Sequence, residues 1–94
     1  MNKVAKIFAE RALERGGLYL YSRNDAMECI LACQAEKIHL LGIDGFRLTA
    51  DTIQPSMNDS VDFSSSFFEG DIYEYALASL EKRPEELFFE IVFE

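Results

Sequence analysis

The run Ile38-His39-Leu40-Leu41-Gly42-Ile43 is apolar on both faces of an extended strand, with His39 as the one exception, and it constrains the fold more than any other segment. A strand with no polar face must be covered on both sides. The segment therefore reads as a central strand of a sheet. The end of the chain supplies another strand, because Leu87, Phe89, Ile91 and Phe93 alternate with Phe88, Glu90, Val92 and Glu94 at the two-residue period of a strand. At 94 residues there is room for one domain, spanning 1–94, and one core. The eight Phe and four Tyr are enough to fill it.

Helices are expected at three places. From Asn2 to Arg15, the residues Val4, Ile7, Phe8, Ala12 and Leu13 fall on one side at helical spacing, and Gly16-Gly17 ends the pattern. Leu18 to Tyr21 then reads as a short strand. A second helix starts near Ser22 or Asn24, where Ser22-x-x-Asp25 is a capping pattern, and carries Ala26, Met27, Ile30, Leu31 and Cys33 on its buried side to about Glu36. The third runs from the cap Asp71 to Arg83 and is stopped by Pro84.

Between the second and third helices, Asp44-Gly45 allows two readings. It could form a hairpin turn pairing Ile43 with Phe46. Alternatively the strand continues to Leu48 with a bulge at Gly42 and Gly45, turns at Thr49-Ala50-Asp51-Thr52, and returns as Ile53-Gln54-Pro55. The second is preferred because it sets Leu48 and Ile53 against each other across the turn. A short strand around Val61 to Ser64 and a loop account for the polar stretch up to Gly70. The order of elements predicts an α+β fold: a single small domain with a mostly antiparallel sheet of about four to five strands and about three helices packed on it.

Charge narrows the function. Nine Lys+Arg against seventeen Asp+Glu give 9 − 17 = −8 at pH 7. Nucleic-acid affinity rests on cationic side chains that neutralise phosphates, so direct DNA or RNA binding is not expected, nor is attraction to an anionic membrane. Without a run of about 18 apolar residues, and with a charged amphipathic stretch at the N-terminus, the sequence reads as cytoplasmic. Cys29 and Cys33 read as reduced core thiols, and with His39 as the only histidine they do not make up a zinc site. His39 itself reads as a core or sheet-face residue. Neither a phosphate-cradling loop nor a nucleophile with its base is recognisable, so no enzyme activity, metal or cofactor is expected. An acidic small domain favours a basic protein partner.

The acids most available to such a partner are Asp44, Asp51, Asp59, Asp62 and Glu69, which cluster between the Ile38–Ile43 central strand and the third helix. The block Leu40-Leu41-Gly42-Ile43-Asp44-Gly45, following a helix with Ala26, Cys29 and Ala32, resembles the immunity proteins that protect colicin producers from tRNA-anticodon nucleases, and more loosely the immunity families of polymorphic toxin systems. Phe46, Thr49 to Thr52 and Ser56 to Ser66 match the aromatic segment, polar turn and Ser/Asp-rich stretch that follow. Of the five acids, Asp44 maps onto the motif.

The resemblance implies an inhibitor that binds a basic nuclease toxin, an RNase, through an acidic surface imitating RNA, and that is a monomer or weak dimer when free. Tyr73, Phe67 and Phe68 are candidate aromatic anchors. The alternative is a non-catalytic acidic interaction module, or a homodimer, with a non-nuclease partner.

Overall fold

The computed structural model describes residues 3–63 and 70–93. Its elements run α1 (Lys3–Ala9), β1 (Leu13–Arg15), β2 (Leu18–Ser22), α2 (Arg23–Ala35), β3 (Leu40–Leu48), β4 (Ile53–Asp62), α3 (Ile72–Glu81) and β5 (Phe88–Phe93). The strands form a five-stranded sheet in the order β1-β2-β5-β3-β4. Every neighbouring pair is antiparallel. The expected α+β domain is what the chain forms, with β5 in the middle of the sheet and β3 beside it.

Two of the predicted helix starts carry the expected caps. Ser22 Oγ accepts from the Asp25 amide at 3.2 Å, and Asp71 Oδ1 accepts from the Tyr73 and Glu74 amides at 2.9 and 3.2 Å. Each cap satisfies amides that the first helical turn leaves without partners. The preferred reading of residues 38–55 also holds: β3 passes through Asp44-Gly45 to Leu48, and Leu48 pairs with Ile53 across the turn. Thr49 Oγ1 closes that turn by accepting from the Thr52 amide at 3.0 Å.

Three expectations are corrected. The first helix ends at Ala9 and does not reach Arg15; Leu13–Arg15 is β1, and Gly16-Gly17 is the turn of a hairpin in which Arg15 faces Leu18. Both glycines have positive φ, 58° and 83°, as the two central residues of a type I′ hairpin turn require, whereas a helix end uses positive φ at a single residue. Arg11 lies in the connection, 4.8 Å over the Phe8 ring and ion-paired with Asp25 and Glu28, so it ties α1 to α2.

β4 is one ten-residue strand, so the expected return at Ile53-Gln54-Pro55 and the short strand near Val61 are parts of a single element and not separated by a loop. Its polar middle forms a bulge. Finally, His39 is exposed and precedes β3, not within a covered strand. Lys37 leaves α2 with φ 57°, and Tyr73 Oη donates to the Ile38 carbonyl at 2.6 Å, so Ile38 and His39 serve as a connector.

Alternation along the strands divides the sheet into two faces. Tyr21, Ile43, Phe89 and Ile91 point to the helices and pack with Phe8, Ala26, Cys29, Ile30, Cys33, Ala76 and Leu80 in one core. Both cysteines are free thiols buried there, as expected. A hydrogen bond with Cys33, together with burial, holds the Cys29 thiol well above its ordinary pKa.

The opposite face carries Leu20, Gly42, Asp44, Phe46, Phe88, Glu90 and Val92. Leu20 is 0 % exposed although it lies outside the helix-side core. Curling of the sheet explains its burial. The β1–β2 turn reaches the β3–β4 hairpin, where Arg15 Nη2 donates to the Thr49 carbonyl at 2.9 Å and a Cβ built on Gly16 would lie 3.5 Å from Ile53 Cδ1.

Phe89, 0 % exposed at the centre of the sheet, should be the most costly large residue to truncate. Phe89→Ala is expected to lower unfolding free energy by about 3–5 kcal/mol in urea titration. Ile7→Ala, at a position 57 % exposed, should change it by less than about 0.5 kcal/mol.

Candidate functional site: a cleft on the open face of the sheet

The cleft follows from how closely β4 approaches β3. A Cβ on Gly42 would come 3.0 Å from the Val61 carbonyl oxygen, and one on Gly45 would come 2.7 Å from the Asp59 carbonyl oxygen. The two glycines let the strands touch there. Pairing then slips: Ile43 faces Val61 but Gly45 faces Ser56, so Met57, Asn58, Asp59 and Ser60 form a bulge on β4.

Side chains close the bulge from within. Ser60 Oγ accepts from the Gly45 amide at 3.0 Å and donates to the Ser56 carbonyl at 2.8 Å, while Ser56 Oγ donates to Asp59 Oδ2 at 2.6 Å. Arg83 anchors it to the helices. Its Nη1 lies 3.5 Å from Asp59 Oδ1, its Nη2 donates to Ser79 Oγ at 3.3 Å, and its carbonyl accepts from Arg23 Nη1 at 3.0 Å.

Beside this bulge lies a cleft of about 540 Å³ lined by Leu41, Gly42, Asp44, Met57, Ser60, Val61, Asp62 and Val92. Gly42 pairs with Asp62 on one side and Val92 on the other, and Asp44 faces Glu90 on β5. Directly opposed like charges repel across a strand pair. Burial, and secondarily the Asp44 charge, raises the Glu90 carboxyl above its ordinary pKa. The ion pairs among the described residues include neither Asp44 nor Glu90. Met57, 82 % exposed, stands at the rim.

The structure brings together two of the acids expected to meet a partner, Asp44 and Asp62. Asp51 is exposed in the turn at the far end of the β3–β4 hairpin. Asp59 is turned inward to Ser56 and Arg83, with its side chain 14 % exposed, because its carboxylate holds the bulge shut. Glu69, with the candidate anchors Phe67 and Phe68, lies outside the described residues. Tyr73 packs partly buried against the core with its hydroxyl bonded to Ile38.

Glu90 and Met57 escaped the sequence reading. Glu90 is recognisable as part of the site only once β5 is known to lie beside β3.

Chemically, the arrangement suits a group with an apolar stem and a cationic end. Among the described residues no cluster of three or more His, Cys, Asp or Glu is placed to hold a metal ion, and no helix is long and apolar enough to cross a membrane. No protein-family model, curated protein or solved structure matches the chain.

Two outcomes test this geometry. Gly45→Ala forces a Cβ against Asp59 backbone and should cost about 1–3 kcal/mol in urea titration, because the bulge must shift. The second concerns pH. A carboxyl whose folded pKa is raised stabilises the fold most below its unfolded value of about 4.3, and that contribution is lost as pH rises through the folded value. Glu90→Gln should therefore raise the melting temperature at pH 7, and the gain should vanish below about pH 4.

Proposed function

We propose that this chain is a bacterial immunity protein of the cytoplasm, which binds a basic nuclease toxin domain, an RNase, and blocks its RNA site with the acidic open face of its sheet. The observation that carries the reading is the pairing of Asp44 and Asp62 in one cleft, with Glu90 beside Asp44. Nothing on that face neutralises Asp44 among the described residues, so a cationic partner gains contacts there that the chain does not already make for itself.

The physics of association follows from the charge. A net charge of −8 steers a basic domain from a distance, and the attraction is screened beyond about 8 Å at physiological ionic strength. Carboxylates take the place of phosphates before the toxin's Lys and Arg side chains. Exposed Met57 adds an apolar, adaptable contact at the rim. The resemblance of Leu40 to Gly45 to the immunity-protein motif supports the same reading, because Asp44 lies on both.

Stoichiometric addition of the protein to the basic nuclease domain encoded beside it should stop RNA cleavage, and the association rate should fall steeply between low and physiological salt. Asp44→Lys should weaken inhibition by about 30-fold, corresponding to about 2 kcal/mol. Asp51→Lys, at the distant turn, should slow association without shortening the life of the complex. Undiminished cleavage with every neighbouring nuclease domain would overturn the proposal, and a homodimer at twice the monomer mass in size exclusion would favour a different partner.

A further inference from the structure

Two thiols, Cys29 and Cys33, stand one helical turn apart on the buried side of α2, each 0 % exposed, and share a hydrogen bond. The inhibitor reading makes no use of them. Residues four apart in a helix hold their Cβ atoms about 5–6 Å apart, whereas a disulfide needs about 3.5–4.5 Å. The pair is close enough to touch as thiols and too far apart to join while residues 29–33 stay helical.

The surroundings give that stretch no slack. Ala26, Cys29, Ile30 and Cys33 are all 0 % exposed in the helix-side core, so a change in winding moves side chains that are already packed. The last turn of α2 is also tied at its exit. The Glu36 amide donates to the Ala32 carbonyl at 3.0 Å and the Ile38 amide to the Cys33 carbonyl at 2.9 Å, while the Ile38 carbonyl is the one that Tyr73 Oη holds. Drawing Cys33 toward Cys29 therefore pulls on the lead into β3 and on its link to α3.

We infer that this thiol pair makes the fold conditional on reduction: the folded chain and the Cys29–Cys33 disulfide exclude one another, so oxidation of an opened chain traps it unfolded. The oxidant is a small-molecule disulfide. One cysteine thiolate attacks it, forming a mixed disulfide and releasing one small thiol; the second cysteine attacks the protein sulfur of that bond, closing the 29–33 disulfide and releasing the other small thiol. Two electrons pass from the cysteine sulfurs to the oxidant, and the two cysteine protons end on the released thiols. While the chain is folded, burial keeps both thiols from the oxidant. Unfolding exposes them, and only three residues separate them. Folding and oxidation then oppose each other in one cycle, and the factor by which folding disfavours the bond is the factor by which the bond disfavours folding.

The test follows the unaltered full chain in mixtures of reduced and oxidised glutathione, with and without concentrated urea, the dithiol, mixed-disulfide and 29–33 disulfide forms being separated by mass after acid quenching. The 29–33 bond should be at least about 100-fold less favoured without urea than with it, since the folded state sets its whole stability against the bond. Chain that has been closed to the disulfide in urea and then freed of urea should show neither a helical far-ultraviolet signal nor a dispersed ¹⁵N amide spectrum. Dithiothreitol should restore both, which assigns the loss to the bond and not to damage.

A native amide spectrum in the disulfide-bonded chain would overturn the inference. So would spectral changes confined to residues 29–38, because α2 would then have absorbed the bond locally. Similar disulfide equilibria with and without urea, or no 29–33 bond in urea, also sink it. None of these outcomes touches the inhibitor reading, which rests on the opposite face of the sheet.

Discussion

The last strand holds the sheet together. β5 lies between β2 and β3, which do not otherwise pair, so neither hairpin becomes part of a common sheet until residues 88–93 are in place. Its register does the joining: Phe89 faces Tyr21 on one side and Gly45 on the other, and Ile91 faces Ile43. Contacts between a segment at the end of the chain and strands far earlier in sequence carry a loop-closure cost before they contribute. The local hairpins and capped helices can form first; the core and the cleft both wait for β5.

The two faces of the sheet have different duties because the helices cover only one. On the covered side, large apolar residues and two free thiols pack, with no buried charged group among the described residues. On the other, the curl that brings Arg15 to Thr49 buries Leu20 and leaves the stretch around Asp44 and Val92 open to solvent. One opposed carboxylate pair sits there at an electrostatic cost.

Much of this was legible in the sequence where one residue type has one strong local meaning. Ser22 and Asp71 cap because their oxygens reach free amides, and the alternation of Leu87 to Phe93 has only one period. The preference for a continuous β3 came from Leu48 and Ile53, and the register bears it out. What escaped depends on partners distant in sequence. Gly16-Gly17 can end a helix or turn a hairpin, and only the pairing of Arg15 with Leu18 decides. Asn58-Asp59-Ser60 has loop composition because it is a bulge, and nothing local shows that Asp59 will meet Arg83 while Asp44 meets Glu90. The acids could be counted in the sequence, but not sorted into structural and available ones.

The bulge on β4 has one more effect, on the shape of the sheet's edge. Among the described residues β4 is an outer strand ten residues long, and a long straight edge of that kind would invite a neighbouring chain to add a strand. Pro55 has no N–H to offer, and a few residues on the displaced Met57–Ser60 segment breaks the straight edge, so only short stretches of it could template another chain. The irregularity that shapes the cleft thus also shortens the straight edge that a second copy could pair with.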